Sequence, residues 1–483
     1  MEEKSLKDKT ASGLSWSLLD KLFQNGLIFA CGILMARMID KDNYGLIAAL
    51  AIFVGIANIL QESGFTSALI RKKNITQSDY ITVFYTNIVI GIGLYIIFFF
   101  AAPFISNIYE KPILTPLARF LFLSFVFNSF AVVQNAKLIK EINYKLITKI
   151  NTFSVFVTYA VALLLAYLGY GVWALASLTV VWAFLKMVCF WLFSKWRPKG
   201  TFNKETFKEL FSFSSKLLAG SLINSIMANL PQSILGKQYN IGVGGLYNQV
   251  YRHYNSANDI LNGSVYNVSY PILASIDDDH RLKRVFRKFI RIKALIIFPM
   301  FMGIILVAES FMHLLGEQWL EAAPILQLLA ITGIFAGFET ANGDILRIKG
   351  KSEILLYLTI FQAILILSAI IIPLVFKLNY LYYIAAISLT YIIRYFVSST
   401  VSQRLINYKL SELVKDLFPY FAISLACIGC GYLLTFLIAD PILLMVCQII
   451  FVAILYFGIL YLSGSKVLKE AVEYITKRKL KRQ

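Results

Sequence analysis

The chain has 483 residues, 58% of them hydrophobic, and a mean hydropathy of +0.69. Soluble domains run at about 45 to 50% apolar residues, so a water-soluble enzyme or binding domain is excluded. The formal charge of +19 would suit nucleic acid, but its distribution along the chain, described below, gives it another role and no nucleic-acid partner is expected.

A helix needs about 20 mostly apolar residues to cross a hydrocarbon core about 30 Å thick. Runs of this kind fall at about Leu14–Ala36, Tyr44–Leu60, Ile81–Ile105, Leu117–Gln134, Ile147–Leu168, Val172–Phe193, Leu217–Leu235, Val243–Tyr270, Ala294–Leu315, Ala323–Ile345, Ile354–Phe376, Leu381–Val401, Leu417–Ile438 and Ile442–Leu462. The expected fold is an all-α membrane protein of about fourteen spans. Met1–Ser12 is polar and is followed by no small-residue cleavage site, so the first span is expected to be retained. The five cysteines all lie in apolar runs and read as small hydrophobes; Cys427 and Cys430 have CxxC spacing but no second pair or nearby histidine, so no metal or redox role is expected.

Basic residues crowd alternate connections: Lys4 to Lys9, Arg71 to Lys73, Lys137 to Lys145, Lys195 to Lys208, Arg281 to Arg291, Arg347 to Lys351, Arg404 to Lys415, and the tail from Lys466 to Arg482. The other connections hold Arg37, Lys41, Lys111, Lys237 and Lys377. Short basic loops stay in the cytoplasm. Both termini are therefore expected inside, with the tail lying as an amphipathic helix on anionic headgroups.

The chain also repeats. A shift of 200 residues pairs Gln24 with Asn224, Arg37 with Lys237, Asp40 with Asn240, Gly45 with Gly245 and Leu60 with Ile260. Beyond the basic loop the shift becomes 207, pairing Phe104 with Phe311 and Asn135 with Asn342. Two tandem six-helix lobes are expected, 1–200 and 201–407, followed by helices thirteen and fourteen over 408–464 and the tail 465–483. Repeats of this parallel kind occur in transporters.

The eighth span departs from the apolar pattern. Asn248, Arg252, Asn255, Asp259, Asn262 and Tyr266 recur at steps of four and three, hence on one helical face, with Tyr247, Tyr251, Tyr254 and Asn258 on the adjoining stripe. So polar a face is expected to line an aqueous cavity, because lipid cannot satisfy it. The first span places Asp20, Lys21, Gln24 and Asn25 on one wedge, with Asp20 and Lys21 about 100° apart. Its repeat mate offers Ser221, Asn224, Ser225 and Asn229, so both halves are expected to turn a polar face inward, with Lys216 nearby. Together, Asp20, Lys21, Gln24, Asn25, Lys216, Asn224, Asn248, Tyr251, Arg252, Asn255, Asp259 and Asn262 form the candidate substrate cavity. His253 is expected to be a packing or cavity residue and not a proton relay. Arg119 and Arg394 are expected to snorkel near span ends, while Lys186, Glu339 and Asp344 are candidates for either the cavity or the inner interface.

Catalytic signatures are missing from the sequence: no GxxxxGK[ST], HExxH or GxSxG string occurs, and the three histidines are far apart. No catalytic, metal or cofactor site is expected, and a coupling ion, H+ or Na+, is left open. The run Asp277–Asp279 reads as a solvated acidic face.

Several strings in order resemble the Wzx-type polysaccharide flippases of the multidrug/oligosaccharidyl-lipid/polysaccharide (MOP) exporter superfamily, whose fold is MATE-like. They are SGLSW at Ser12–Trp16, NYGL at Asn43–Leu46, GFTSALIRKKN at Gly64–Asn74, YGVWALA at Tyr170–Ala176, WRP at Trp196–Pro198, GLYNQVYR at Gly245–Arg252, Tyr270-Pro271, and GEQWLEAAPILQLL at Gly316–Leu329. The resemblance implies transfer of a polyprenyl-pyrophosphate-linked glycan from the cytoplasmic to the outer leaflet of a bacterial inner membrane. Membrane lipids and a polysaccharide polymerase are candidate partners. Related peptidoglycan-precursor flippases carry an adjacent cation and carboxylate on the first helix and an arginine on the eighth. The matching positions are Asp20 with Lys21 and Arg252; here the order of acid and base is reversed and lysine replaces arginine. An ion-coupled multidrug exporter of the same fold, or a membrane glycosyltransferase or polymerase, are the alternatives; the Asn/Arg/Tyr stripe and the short outer loops argue against each in turn.

Overall fold

The computed structural model describes residues 24–61, 69, 72, 75–465 and 468, and the backbone of Glu62; the side chains of 213, 216, 217, 219 and 259–268 lie outside that description. Among the described residues the protein is built from long helices and short turns. In chain order these are α1 (residues 24–38), α2 (Lys41–Glu62), α3 (Gln77–Tyr109), α4 (Leu114–Lys140), α5 (Tyr144–Tyr167), α6 (Val172–Phe193), α7 (Lys204–Gln238), α8 (Ile241–Ala274), α9 (Asp279–Leu315), α10 (Ala323–Ile348), α11 (Ser352–Val375), α12 (Tyr380–Leu405), α13 (Leu410–Leu433) and α14 (Pro441–Leu462). Eleven of the helices are long and apolar enough to cross a membrane, which makes this a multi-pass membrane protein. The others are α1, of which only 24–38 is described, and the two polar helices α7 and α8.

Local sequence explains where many of these helices begin. Thr76, Asn203, Asp278, Asn379 and Asp440 each cap a helix by accepting a backbone N–H with the side chain. The acidic run thus has a structural use: Asp278 accepts from the Arg281 amide at 2.6 Å and Asp279 pairs with Lys349.

Contacts divide the chain into two compact units, Met1–Asn248 and Gln249–Gln483. This boundary falls inside α8, later than the 200/201 boundary of the sequence repeat, because α7 packs along α2 and α3 in the first unit. The core of that unit joins α2, α3, α4 and α6 around Leu50, Phe122, Phe125 and Ala176, with the Phe122 and Phe125 rings stacked at 5.1 Å. In the second unit α9 is the hub, packed against α10, α13 and α14, and α12 packs on α10 and α11.

Some local features recur at the shifts read from the sequence. Shifted by 207 residues, α5 would cover 351–374, against Ser352–Val375 for α11. Asp40 accepts from the Asn43 amide at 2.9 Å, and Asn240 accepts from the Val243 amide at 2.8 Å, so the 200-residue pair makes one cap twice. The two capped helix starts also meet. A Cβ on Gly45 would lie 1.8 Å from the Ile241 carbonyl oxygen, and a Cβ on Gly245 would lie 1.8 Å from the Lys41 carbonyl oxygen. Lys41 and Ile241 are themselves 200 residues apart, so α2 and α8 cross about a local two-fold relation that only glycine on both helices permits.

Candidate functional site

Helix α8 runs unbroken from Ile241 to Ala274, through Pro271. Continuous helical phase keeps positions 248, 252, 255, 259 and 262 on one face. Asn248 is buried, Tyr251, Arg252 and Asn255 are half-buried, and the side chains of Asp259 and Asn262 lie outside the described residues. The backbone carbonyl of Arg252 accepts from Ser256 at 3.0 Å.

The first unit draws Asn248 into a polar chain. Its amide donates to Gln232 at 2.8 Å, Gln232 donates to Asn229 at 2.9 Å, and Asn229 donates to the Ser225 carbonyl at 2.9 Å. Gly55 of α2 lies against the same chain, where a Cβ would stand 2.6 Å from the Asn229 amide nitrogen. The neighbouring Ser233 donates to the Ala48 carbonyl at 3.1 Å. Asn248 is therefore engaged in joining α7 to α8; Asn229 belongs to the polar face expected of α7, and Gln232, not singled out in the sequence, links the two.

Of the remaining predicted residues, Gln24 and Asn25 are half-buried on α1 and Asn224 is exposed on α7. Asp20 and Lys21 lie outside the described residues, as does the Lys216 side chain. His253 packs edge-on against Phe311, ring centres 5.2 Å apart, and its Nε2 is 3.4 Å from the Gln249 amide. Packing was one of the two roles expected of it, the other being cavity lining.

Other intramembrane charges resolve differently from the sequence expectation. Arg394 does not snorkel: its Nε donates to Glu339 at 3.2 Å, both side chains being about four-fifths buried (20% and 16% exposed). Ser398 also donates to Glu339, and Asn342 links Ser398 to Ser402. On the same helix Asp344 pairs with Arg347 at 3.0 Å, and Lys293, missed in the sequence, is buried on α9 and donates to the Gly337 carbonyl at 2.8 Å and to Thr340. Glu339 and Asp344 are thus held in ion pairs within the second unit, where partnering offsets the cost of a buried charge. Arg119 lies over the Phe99 ring at 4.1 Å and Lys186 over Trp182 at 4.1 Å. Among the described residues, no group of histidine, cysteine and carboxylate side chains is arranged to hold a metal.

A family described as polysaccharide biosynthesis protein matches residues 34–324, more than half of the chain. The chain belongs to that family. It is 28% identical over 376 residues to the lipopolysaccharide biosynthesis protein WzxC of Escherichia coli (strain K12), covering 76% of each chain. It is 24% identical over 355 residues to the succinoglycan biosynthesis transport protein ExoT of Rhizobium meliloti (strain 1021), covering 73% of this chain and 72% of the relative. Among solved structures it resembles the lipid II flippase MurJ in an inward closed conformation, with a TM-score of 0.76 at 15% identity over 92% of this chain and 97% of that one. At that identity the likeness establishes the fold, an all-α membrane fold of the MOP type.

Proposed function

We propose that this polysaccharide biosynthesis family member is a flippase, moving polyprenyl-pyrophosphate-linked oligosaccharide from the cytoplasmic to the outer leaflet of a bacterial inner membrane by alternating access. The relatives WzxC and ExoT, named for lipopolysaccharide biosynthesis and succinoglycan transport, support the substrate class. The observation that carries the reading is the unbroken helix α8, which keeps Asn248, Arg252 and Asn255 on one face of a helix too polar to pass as an apolar span. A polyprenyl tail can stay in lipid, whereas pyrophosphate and sugar hydroxyls need polar groups to replace their water. Arg252 is the cation assigned to the pyrophosphate, helped by Lys21, and Asn and Tyr side chains answer the sugars. No covalent step belongs to this reading.

The assignment is tested by lipid-linked oligosaccharide flipping in variants inserted at normal abundance. Leaving a buried phosphate charge unpartnered costs on the order of 3 to 5 kcal/mol, so Arg252→Ala abolishes flipping. Arg252→Lys keeps part of it, because charge persists while two-point contact is lost. Wild-type rates in Arg252→Ala would move the phosphate site to Lys21 and Lys216. The fourteen-span topology with both termini in the cytoplasm is part of the same proposal. Cysteine labelling at Ser275 and Asp440 checks it: the two positions must report opposite faces, Ser275 the cytoplasm.

A further inference from the structure

The α12–α13 turn holds a cavity of about 410 Å³ between residues 396 and 410. Both flanking helices are long and apolar enough to cross a membrane, so the cavity sits at a bilayer boundary. Its wall changes character along its length. Phe396 and Leu410 are exposed apolar side chains; Thr400 and Gln403 offer hydrogen-bonding groups; Arg404 and Lys409 are exposed cations that make no ion pair among the described residues.

The surrounding acids are already taken. Asp416 accepts from Arg287 at 2.7 Å, from Arg291 at 2.6 Å and from the Tyr408 hydroxyl at 2.8 Å, and Glu412 pairs with Lys283 at 2.6 Å and Arg287 at 3.0 Å. Tyr408 is buried and lines the cavity, and burial together with the Asp416 carboxylate pushes its hydroxyl well above the usual phenol range, so it remains a donor. Lys283 also donates to the Asn407 carbonyl at 2.7 Å, and the Tyr408 amide donates to the Gln403 carbonyl at 2.9 Å, which holds the turn that carries the cations. Among the described residues, the fixed wall therefore leaves two positive side chains with no ion-pair partner of opposite sign.

We infer that this cavity is a binding site for the headgroup of an anionic glycerophospholipid, with Arg404 and Lys409 on its phosphate and its acyl chains passing Phe396 and Leu410. Basic pockets between membrane helices favour such headgroups, and the volume lies within the range of small-ligand pockets, about 300 to 1,000 Å³. The inference stands on the second unit alone and does not depend on the flippase assignment or on which leaflet the turn faces.

The test is native mass spectrometry of the full chain titrated with phosphatidylglycerol or phosphatidylcholine. The native protein should retain one phosphatidylglycerol in preference to phosphatidylcholine. Each basic residue near a lipid surface contributes about 1 kcal/mol, so R404Q/K409Q should weaken phosphatidylglycerol binding by roughly tenfold to thirtyfold. R404K/K409R should keep most of it, and K195Q/K199Q, an equal change of charge at exposed residues in the first unit, should leave it unchanged. An equal loss in both glutamine doubles would reduce the effect to bulk charge and overturn the site. Competition by inorganic phosphate at the lipid's own concentration would overturn the lipid assignment, and so would displacement by polyprenyl pyrophosphate at lower concentration than phosphatidylglycerol.

Discussion

The two units place different chemistry at positions that the 207-residue shift pairs. Counting back 207 residues pairs Glu339 with Val132, Arg394 with Met187 and Lys293 with Thr86. In the first unit Val132 is buried, Met187 packs against the apolar cluster that includes Ile147, Cys189 and Phe190, and Thr86 donates to the Thr82 carbonyl of its own helix at 2.7 Å. In the second unit the same places hold an ion pair and a buried lysine. Buried ion pairs rarely beat apolar packing in stability, because two charges must be desolvated. The charged core of the second unit is therefore not explained by helix packing alone, and the first unit shows what packing alone requires.

The largest expected effect sharpens that contrast. Arg394→Ala strands Glu339 and should cost about 3 to 5 kcal/mol, whereas E339V with R394M, which copies the first repeat, should be neutral or more stable by about 1 to 4 kcal/mol. Unfolding of both proteins in one detergent compares them, and equal losses would mean that the pair holds the unit together in a way its counterpart does not need.

The helix crossing tests where the repeats agree. Gly45→Ala and Gly245→Ala each drive a methyl into a backbone carbonyl, so each should destabilise by about 1 to 3 kcal/mol or more. The two losses should match in the same unfolding assay, and a silent substitution on one side would break the two-fold relation. Smallest are the caps: Asp40→Ala and Asn240→Ala should each cost about 1 kcal/mol, seen as similar small shifts of the melting midpoint. A difference of several-fold between them would show that one cap is held by its tertiary setting.

Much of this was legible in sequence. The apolar runs gave the helices and the 200- and 207-residue shifts gave the repeat, because span length and helix periodicity are properties of consecutive residues. The polar stripe of α8 was legible for the same reason. Its partners were not: Asn248 meets Gln232, sixteen residues away on the preceding helix, and nothing local distinguishes that amide from one facing a cavity. Arg394 carried the same ambiguity, since a charge near a span end looks alike whether it reaches for headgroups or for a carboxylate on α10.

By itself the sequence determined that this chain crosses the bilayer many times, because apolar length is written along the chain. Only the tertiary structure decided which glycines touch, which charges are paired in the second unit, and that the α12–α13 turn leaves Arg404 and Lys409 beside a cavity. A helical wheel fixes the direction a side chain points, and only packing of the neighbouring helix fixes what stands there.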